Sequence, residues 1–176
     1  MAKKQALLEL QNRLAGRLQS AQTQAVSMAW LAVLIGESPC LLPLSHSGEI
    51  FSLPVMVRVP YTQPWFSGVV NLRGGLYGVV DLAAFMGQAT ARSYNEQAWA
   101  QARLVTLNVD SGVNCALIVD KLLGLRREDA LKAAEPPPEG SPAYLGHRFS
   151  DSDGQQWQEI NLQSLSQMPA FSGIGA

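Results

Sequence analysis

The chain has 176 residues, of which 47% are hydrophobic and 15% are charged, and its formal net charge is −1. This length fits one domain or two small halves with a common core, and the high apolar share excludes an intrinsically disordered chain. A nearly neutral chain offers no basic field to phosphate backbones, so nucleic acid is not an expected partner.

Cysteine spacing and hydropathy predict a reduced protein that stays in the cytoplasm. Neither Cys40 nor Cys115 is flanked by a histidine or a second cysteine, so we expect two buried thiols and neither a disulfide nor a zinc site. The apolar run at 26–36 is 11 residues long, whereas a membrane-spanning helix needs about 20. We therefore expect no direct membrane insertion, and no bound metal or cofactor.

Residues 1–25 are predicted to hold an amphipathic helix. From residue 3 to about residue 24, apolar side chains recur at steps of three or four and line one face. They are Leu7, Leu10, Leu14, Leu18 and Ala21. Two uses of this helix remain open, because it would either dock on its own domain or bind a helix of a partner.

Short strand-like patterns follow the predicted helix. The runs at 30–35 and 40–44 flank turn residues and predict a hairpin, whose prolines, Pro39 and Pro43, belong at a sheet edge or at strand ends. Residues 45–50 are expected to be irregular. Residues 54–60, bounded by prolines, are expected to form another short strand.

Residues 63–82 carry the clearest pattern in the chain. Side chains alternate on both sides of Gly74 and Gly75, which predicts a β-hairpin whose two glycines supply the positive φ angles of its turn. Gly68 and Gly78 lie inside the predicted strands and indicate sharp curvature or a close backbone approach. One helical turn is expected at 82–86.

The second half of the chain continues in the same style. The predicted elements are a polar connection at 88–101, a hairpin formed by 103–109 and 113–119, a turn with a short helix at 120–131, a proline-rich surface loop at 134–142 and a last hairpin at 144–162. Eight or nine short strands with few helices favour small closed barrels over a parallel sheet.

No pattern in the sequence predicts an enzyme. Phosphate-binding loops and nucleophile elbows are absent from the sequence. His46 and His147 are isolated, and a lone histidine rarely makes a metal site. Asp81 and Asp120 each end an apolar strand, which is ordinary turn chemistry. Arg73 shares a strand face with its neighbours beside the glycine turn, so it is either a protein contact or a solvated side chain.

The sequence WFSGVVNLRGGLYGVVDL at 65–82 resembles the signature of the CheW family, a hairpin of the pattern GVxNLRGxxxxVxDL, and every fixed position of that pattern is present. Weaker similarity follows in LIVDKL at 117–122 and NLQSL at 161–165. The resemblance assigns 26–168 to a CheW-like domain, with the helix before it and a C-terminal tail at 169–176.

The resemblance implies a mainly β fold, in which two small SH3-like five-stranded β-barrels share a hydrophobic core. It also implies a non-enzymatic adaptor. Such an adaptor would link the cytoplasmic tip of a chemoreceptor to the regulatory domain of a CheA-type histidine kinase. We therefore expect a cytoplasmic protein that is recruited to membrane-associated receptor arrays.

The resemblance also implies which residues meet partners. They are Arg73 as the coupling arginine, Asn71 and Gly68 in the same hairpin, Glu49 as an acidic surface residue, and Leu122 and Leu125 as apolar positions of the receptor groove. Gly74 and Gly75 are implied turn residues. The chain departs from the family at Ser47, Gly48 and Ala116.

The N-terminal helix and the divergent second half resemble the branch of the family that serves type IV pilus twitching motility. A flagellar coupling protein and a β-barrel scaffold for another signalling complex remain the alternatives.

Overall fold

The computed structural model of the chain describes residues 28–89, 92 and 95–175. The predicted N-terminal helix lies outside these residues. In the described part, eleven strands form two sheets.

The six-stranded sheet has the order β8-β1-β2-β11-β10-β9. Its strands are β1 (Ala29–Ile35), β2 (Ser38–Pro43), β8 (Lys121–Arg127), β9 (Leu131–Glu135), β10 (Leu145–Asp151) and β11 (Gln156–Ile160). The five-stranded sheet has the order β3-β6-β7-β5-β4. Its strands are β3 (Ser47–Ser52), β4 (Phe66–Leu72), β5 (Gly75–Asp81), β6 (Arg103–Leu107) and β7 (Cys115–Val119).

Short helices connect or follow these strands. They are α1 (Leu82–Phe85), α2 (Glu96–Gln101), α3 (Leu162–Gln167) and α4 (Pro169–Ser172), with single 3₁₀ turns at Val109–Ser111 and Glu128–Ala130. From residue 28 onward, the chain first contributes β1 and β2 to the six-stranded sheet, then builds the whole five-stranded sheet, and returns to the first sheet at β8. The five-stranded unit is therefore inserted into the six-stranded one.

The two sheets bury their facing sides in one shared core. Alternate residues of β1 point to opposite sides of the strand. The shared core receives Leu31, Val33 and Ile35, and the core enclosed by the six-stranded sheet receives Trp30 and Ala32. β7 divides in the same way, with Cys115, Leu117 and Val119 in the shared core, and Ala116 and Ile118 in the core of the five-stranded sheet. Strands buried on both sides read as continuous apolar runs, as these two do.

Several predicted elements are confirmed. The hairpin of β4 and β5, the hairpin of β10 and β11 and the strands β1, β2, β6 and β7 lie where the side-chain patterns place them. The prolines of β2 sit second and last in the strand, which lets the residues between them pair with both β1 and β11. The expected mainly β class is confirmed, although one sheet has six strands instead of five.

Four predicted segments differ from the structure. The stretch 45–50, predicted to be irregular, contributes to β3. The stretch 54–60, predicted to be a strand, forms only one isolated bridge, between Val57 and Val69, because prolines flank the segment. The polar connection contains α2, capped by Asn95. The turn and short helix expected at 120–131 are mainly the strand β8, followed by a single 3₁₀ turn.

The end of the chain packs against the body of the protein. Phe171 of α4 is buried, and its ring stacks on Trp65 with centroids 6.3 Å apart and meets Phe85 edge-on at 5.5 Å. A bridge between Thr62 and Gly175 extends this contact. The segment predicted as a tail therefore contributes to the shared core.

The two buried cysteines give a first test of this packing. Burial raises the pKa of the Cys40 and Cys115 thiols to about 12, and the thiolate is the form that reacts. At pH 8 we therefore expect neither thiol of the folded protein to react with iodoacetamide, whereas both react in urea. Mass spectrometry after timed labelling measures this. Alkylation of the folded chain at the rate of the unfolded chain would contradict the packing.

Candidate partner-binding site

The turn between β4 and β5 presents Arg73 to solvent. Leu72 pairs with Gly75, so the two turn residues are Arg73 and Gly74, whose φ angles are 50° and 87°. Two positive φ angles define the type I′ turn that fits a twisted hairpin. The expectation that both glycines supply these angles is wrong for Gly75, which already belongs to β5.

Asn71 holds this turn closed. Its Oδ1 accepts a hydrogen bond from the backbone N–H of Gly74 at 3.0 Å. A positive φ at a residue with a side chain costs about 1–2 kcal/mol, and Arg73 bears that cost. The turn therefore depends on Asn71 and Gly74 to keep an arginine in a left-handed conformation.

Arg73 forms a two-pronged ion pair with Glu49. Its Nη2 lies 3.0 Å from Oε2 and its Nη1 donates to Oε1 at 3.3 Å. The guanidinium also lies over the ring of Phe51, 5.8 Å from its centroid. The side chains of Arg73 and Glu49 are 74% and 54% exposed. Such an exposed pair contributes about 1 kcal/mol or less to stability, which does not exceed the strain of the turn.

The strand β3 fixes the position of Glu49. The backbone N–H of Glu49 donates to Oγ1 of Thr106 at 2.8 Å. A Cβ at Gly48 would lie 2.4 Å from the same oxygen. A side chain at Gly48 would therefore displace β3 from β6.

Gly68 lies in the same hairpin but away from Arg73. It is buried with a φ of 132°, and a Cβ there would lie 2.3 Å from the carbonyl oxygen of Val57. Val57 and Val69 exchange two backbone hydrogen bonds of 2.9 Å across this contact. The structure thus gives Gly68 the close backbone approach that its place inside a strand indicates.

Leu122 and Leu125 lie on β8, the edge strand of the other sheet. Residues three apart in a regular strand face opposite sides. Here Gly124 has a φ of 103°, and the pairing with β1 shifts between Ala32 and Val33. Leu122 therefore pairs with Val33, and Leu125 pairs with Leu31.

Both partners of these leucines belong to the shared core. Leu122 packs against that core, whereas Leu125 is 62% exposed. We call this pair the leucine rim. The leucine rim belongs to the six-stranded sheet, whereas the Arg73–Glu49 pair belongs to the five-stranded sheet.

One cluster of charged residues was not predicted from the sequence. Arg92 is buried, and its Nη2 and Nη1 lie 2.5 Å from carboxylate oxygens of Asp81 and Asp120. The sequence alone predicts only turn chemistry for the two aspartates. In the structure they also pair with a buried arginine. The sequence shows one arginine in a polar connection and two carboxylates at the ends of apolar strands. Their spacing follows no motif, so the sequence does not indicate that the three side chains meet.

Among the described residues, no group of three or more histidine, cysteine or acidic residues is arranged to hold a metal. A groove of about 730 Å³ beside the segment 53–64 is lined by Asp81, Arg92 and Ser67 among mostly apolar neighbours. It includes neither a histidine nor a cysteine. Within the same described ranges, no helix is long and apolar enough to cross a membrane.

Comparison with known proteins identifies this architecture. The family model described as "CheW-like domain" matches residues 29–170. The chain belongs to the CheW-like domain family. Protein PilI of Pseudomonas aeruginosa is 26% identical over 164 residues, which cover 92% of this chain and 88% of that protein.

The crystal structure of the scaffolding protein TtCheW from Thermoanaerobacter tengcongensis has a similar fold. Its TM-score is 0.67 at 20% identity, and the match covers 82% of this chain and 96% of that one. At this identity the similarity bears on the fold alone. It confirms the expected pair of SH3-like units, each built on one of the two sheets.

Replacing Gly68 tests the close backbone approach in the hairpin. Gly68→Ala adds a methyl group at the Val57 carbonyl and forces a positive φ on a residue with a side chain, so we expect a loss of about 3 kcal/mol in the free energy of unfolding. Gly74→Ala is the matched control, because its φ is 87° and nothing lies within 4 Å of an added Cβ. That variant should lose about 1 kcal/mol. Equal losses in urea titrations would contradict the packing.

Proposed function

We propose that the protein is a non-enzymatic adaptor that couples a chemoreceptor of the methyl-accepting type to the regulatory domain of a CheA-type histidine kinase. We propose further that it acts in the control of type IV pilus twitching motility. Membership in the CheW-like family supports the first part. Similarity to Protein PilI along most of the chain supports the second.

The observation that carries this proposal is the Arg73–Glu49 pair. The hairpin holds Arg73 in a strained conformation and exposes both charges, although the pair contributes little to stability. Strain at an exposed residue with little effect on stability is characteristic of contact sites. A preformed arginine fork also suits recognition of a partner's carboxylate or backbone carbonyls.

The leucine rim suits a different partner. An exposed leucine beside a half-buried one offers an apolar edge on which the ridge of a helix packs. The cytoplasmic tip of a chemoreceptor is helical, so we assign the leucine rim to the receptor. The Arg73–Glu49 pair then serves the coupling to the kinase. Two separate surfaces on one protein are what an adaptor requires.

Reversing the charge of Arg73 tests the coupling surface. Arg73→Asp replaces the cation with a carboxylate that repels Glu49, and we expect assembly of the complex of adaptor, receptor and kinase to weaken about tenfold or more. Unfolding by urea should change by no more than about 1 kcal/mol. Pull-down of the purified components with a titration of the kinase measures the effect.

Lys132→Asp is the control for Arg73→Asp, because it makes the same charge change at an exposed position on β9 of the other sheet. It should assemble like the unaltered protein. Undiminished assembly of the Arg73→Asp variant would remove Arg73 from the coupling surface.

A charge on the leucine rim tests the receptor surface. Leu125→Glu places a carboxylate at a position that is already 62% exposed, so the fold should persist while receptor binding falls about tenfold or more. Val113→Glu is the control, since Val113 is also exposed and lies in the loop before β7. Fluorescence anisotropy with a labelled receptor-tip fragment measures both variants. Equal affinities would contradict the assignment.

The choice of receptor tests the pathway. The unaltered protein should bind the receptor of the pilus system encoded in its own genome and not a flagellar receptor. Binding to the flagellar receptor alone would assign the protein to flagellar chemotaxis and leave the adaptor role intact.

A further inference from the structure

The chain passes from the five-stranded sheet to the six-stranded sheet at Asp120, which lies between β7 and β8. Its backbone N–H donates to the carbonyl oxygen of Leu34 at 2.8 Å. Its Oδ2 accepts from the N–H of Gly36 at 2.7 Å. Asp120 is therefore anchored to the hairpin of β1 and β2 in the six-stranded sheet.

Arg92 reaches this crossing from the other unit. Its side chain is only 3% exposed and lies between the carboxylates of Asp81 and Asp120. Asp81 ends β5 and caps α1 by accepting from the N–H of Ala84 at 3.1 Å. One guanidinium thus joins the end of a strand in the five-stranded unit to the crossing point and, through Asp120, to the first hairpin of the six-stranded unit.

The shared core holds the two units together mainly through apolar contact. Apolar burial is proportional to area and has no directional preference, so it limits small rotations of one sheet over the other less sharply than a directional contact does. A buried ion pair does not tolerate them, because separating it leaves charges that are neither hydrated nor paired. Arg92 supplies such a directional contact at the margin of the core.

We propose that Arg92, held by Asp81 and Asp120, is a positioning residue that fixes the six-stranded unit against the five-stranded one. β8 begins directly after Asp120, so the same contact places the leucine rim relative to the Arg73–Glu49 pair. The consequence for partner binding rests on the proposed function. The positioning of the two units does not.

Distance measurements between the two units test the positioning directly. Spin labels at Ser52→Cys in β3 and Lys132→Cys in β9 occupy exposed positions on opposite sheets, while Cys40 and Cys115 remain buried and unlabelled. Double electron–electron resonance then gives the distribution of distances between the units. Arg92→Met removes the charge, and Arg92→Lys keeps it on a single ammonium that does not span two carboxylates.

We expect one narrow distance peak for the unaltered protein. We expect a broadened or shifted peak for both variants, with circular dichroism unchanged. If Arg92→Met does not fold, Arg92→Lys decides, because it still neutralises the buried carboxylates. A folded Arg92→Lys variant with the distances of the unaltered protein would overturn the proposal. So would the unfolding of both variants, since Arg92 would then be needed for folding itself.

The link to partners is measured on the same proteins. Arg92→Lys should weaken assembly of the complex of adaptor, receptor and kinase about tenfold while it binds each isolated partner nearly normally. Altered distances with unaltered assembly would refute the link to coupling. If the unaltered protein captures neither partner, the proposed function fails, and the distances still decide the role of Arg92.

Discussion

The strands β1 and β7 bury both of their sides, because each contributes to the core between the sheets and to the core enclosed by its own sheet. This double burial places both strands inside their sheets, where they have neighbours on each side. The candidate functional groups lie instead on edge strands, at turns and at the crossing between units. The Arg73–Glu49 pair, the leucine rim and the Arg92 cluster all lie at such places.

The same constraint determines what the sequence could predict. The hairpin of β4 and β5 was predictable because its alternation is regular and its turn chemistry lies within consecutive residues from Asn71 to Gly75. The continuous apolar runs of β1 and β7 were equally clear. In contrast, the strand β8 was not predicted, because Gly124 and the shifted register interrupt the alternation of its side chains. Its two leucines share a face only as a result of that irregularity.

The candidate sites divide in a similar way. Arg73 could be singled out because it lies in a local motif, and Glu49 came only through the resemblance to a family, since its contact with Arg73 joins distant strands. Arg92 had neither kind of signal. Its partners lie at the ends of β5 and β7, and only the packing of one unit on the other brings the three charges together.

The two kinds of ion pair in this protein differ in burial, and therefore in physical consequence. Water screens the Arg73–Glu49 pair, so its charges separate at little cost and remain available to a partner. The Arg92 cluster is shielded from water, so its separation is costly and it resists movement of the units. The proposed adaptor role needs both properties, because exchangeable charges would bind partners and fixed ones would keep the binding surfaces in place. The fold contains both kinds of arginine–carboxylate pair, because it places one at an exposed turn and the other at the buried crossing between its units.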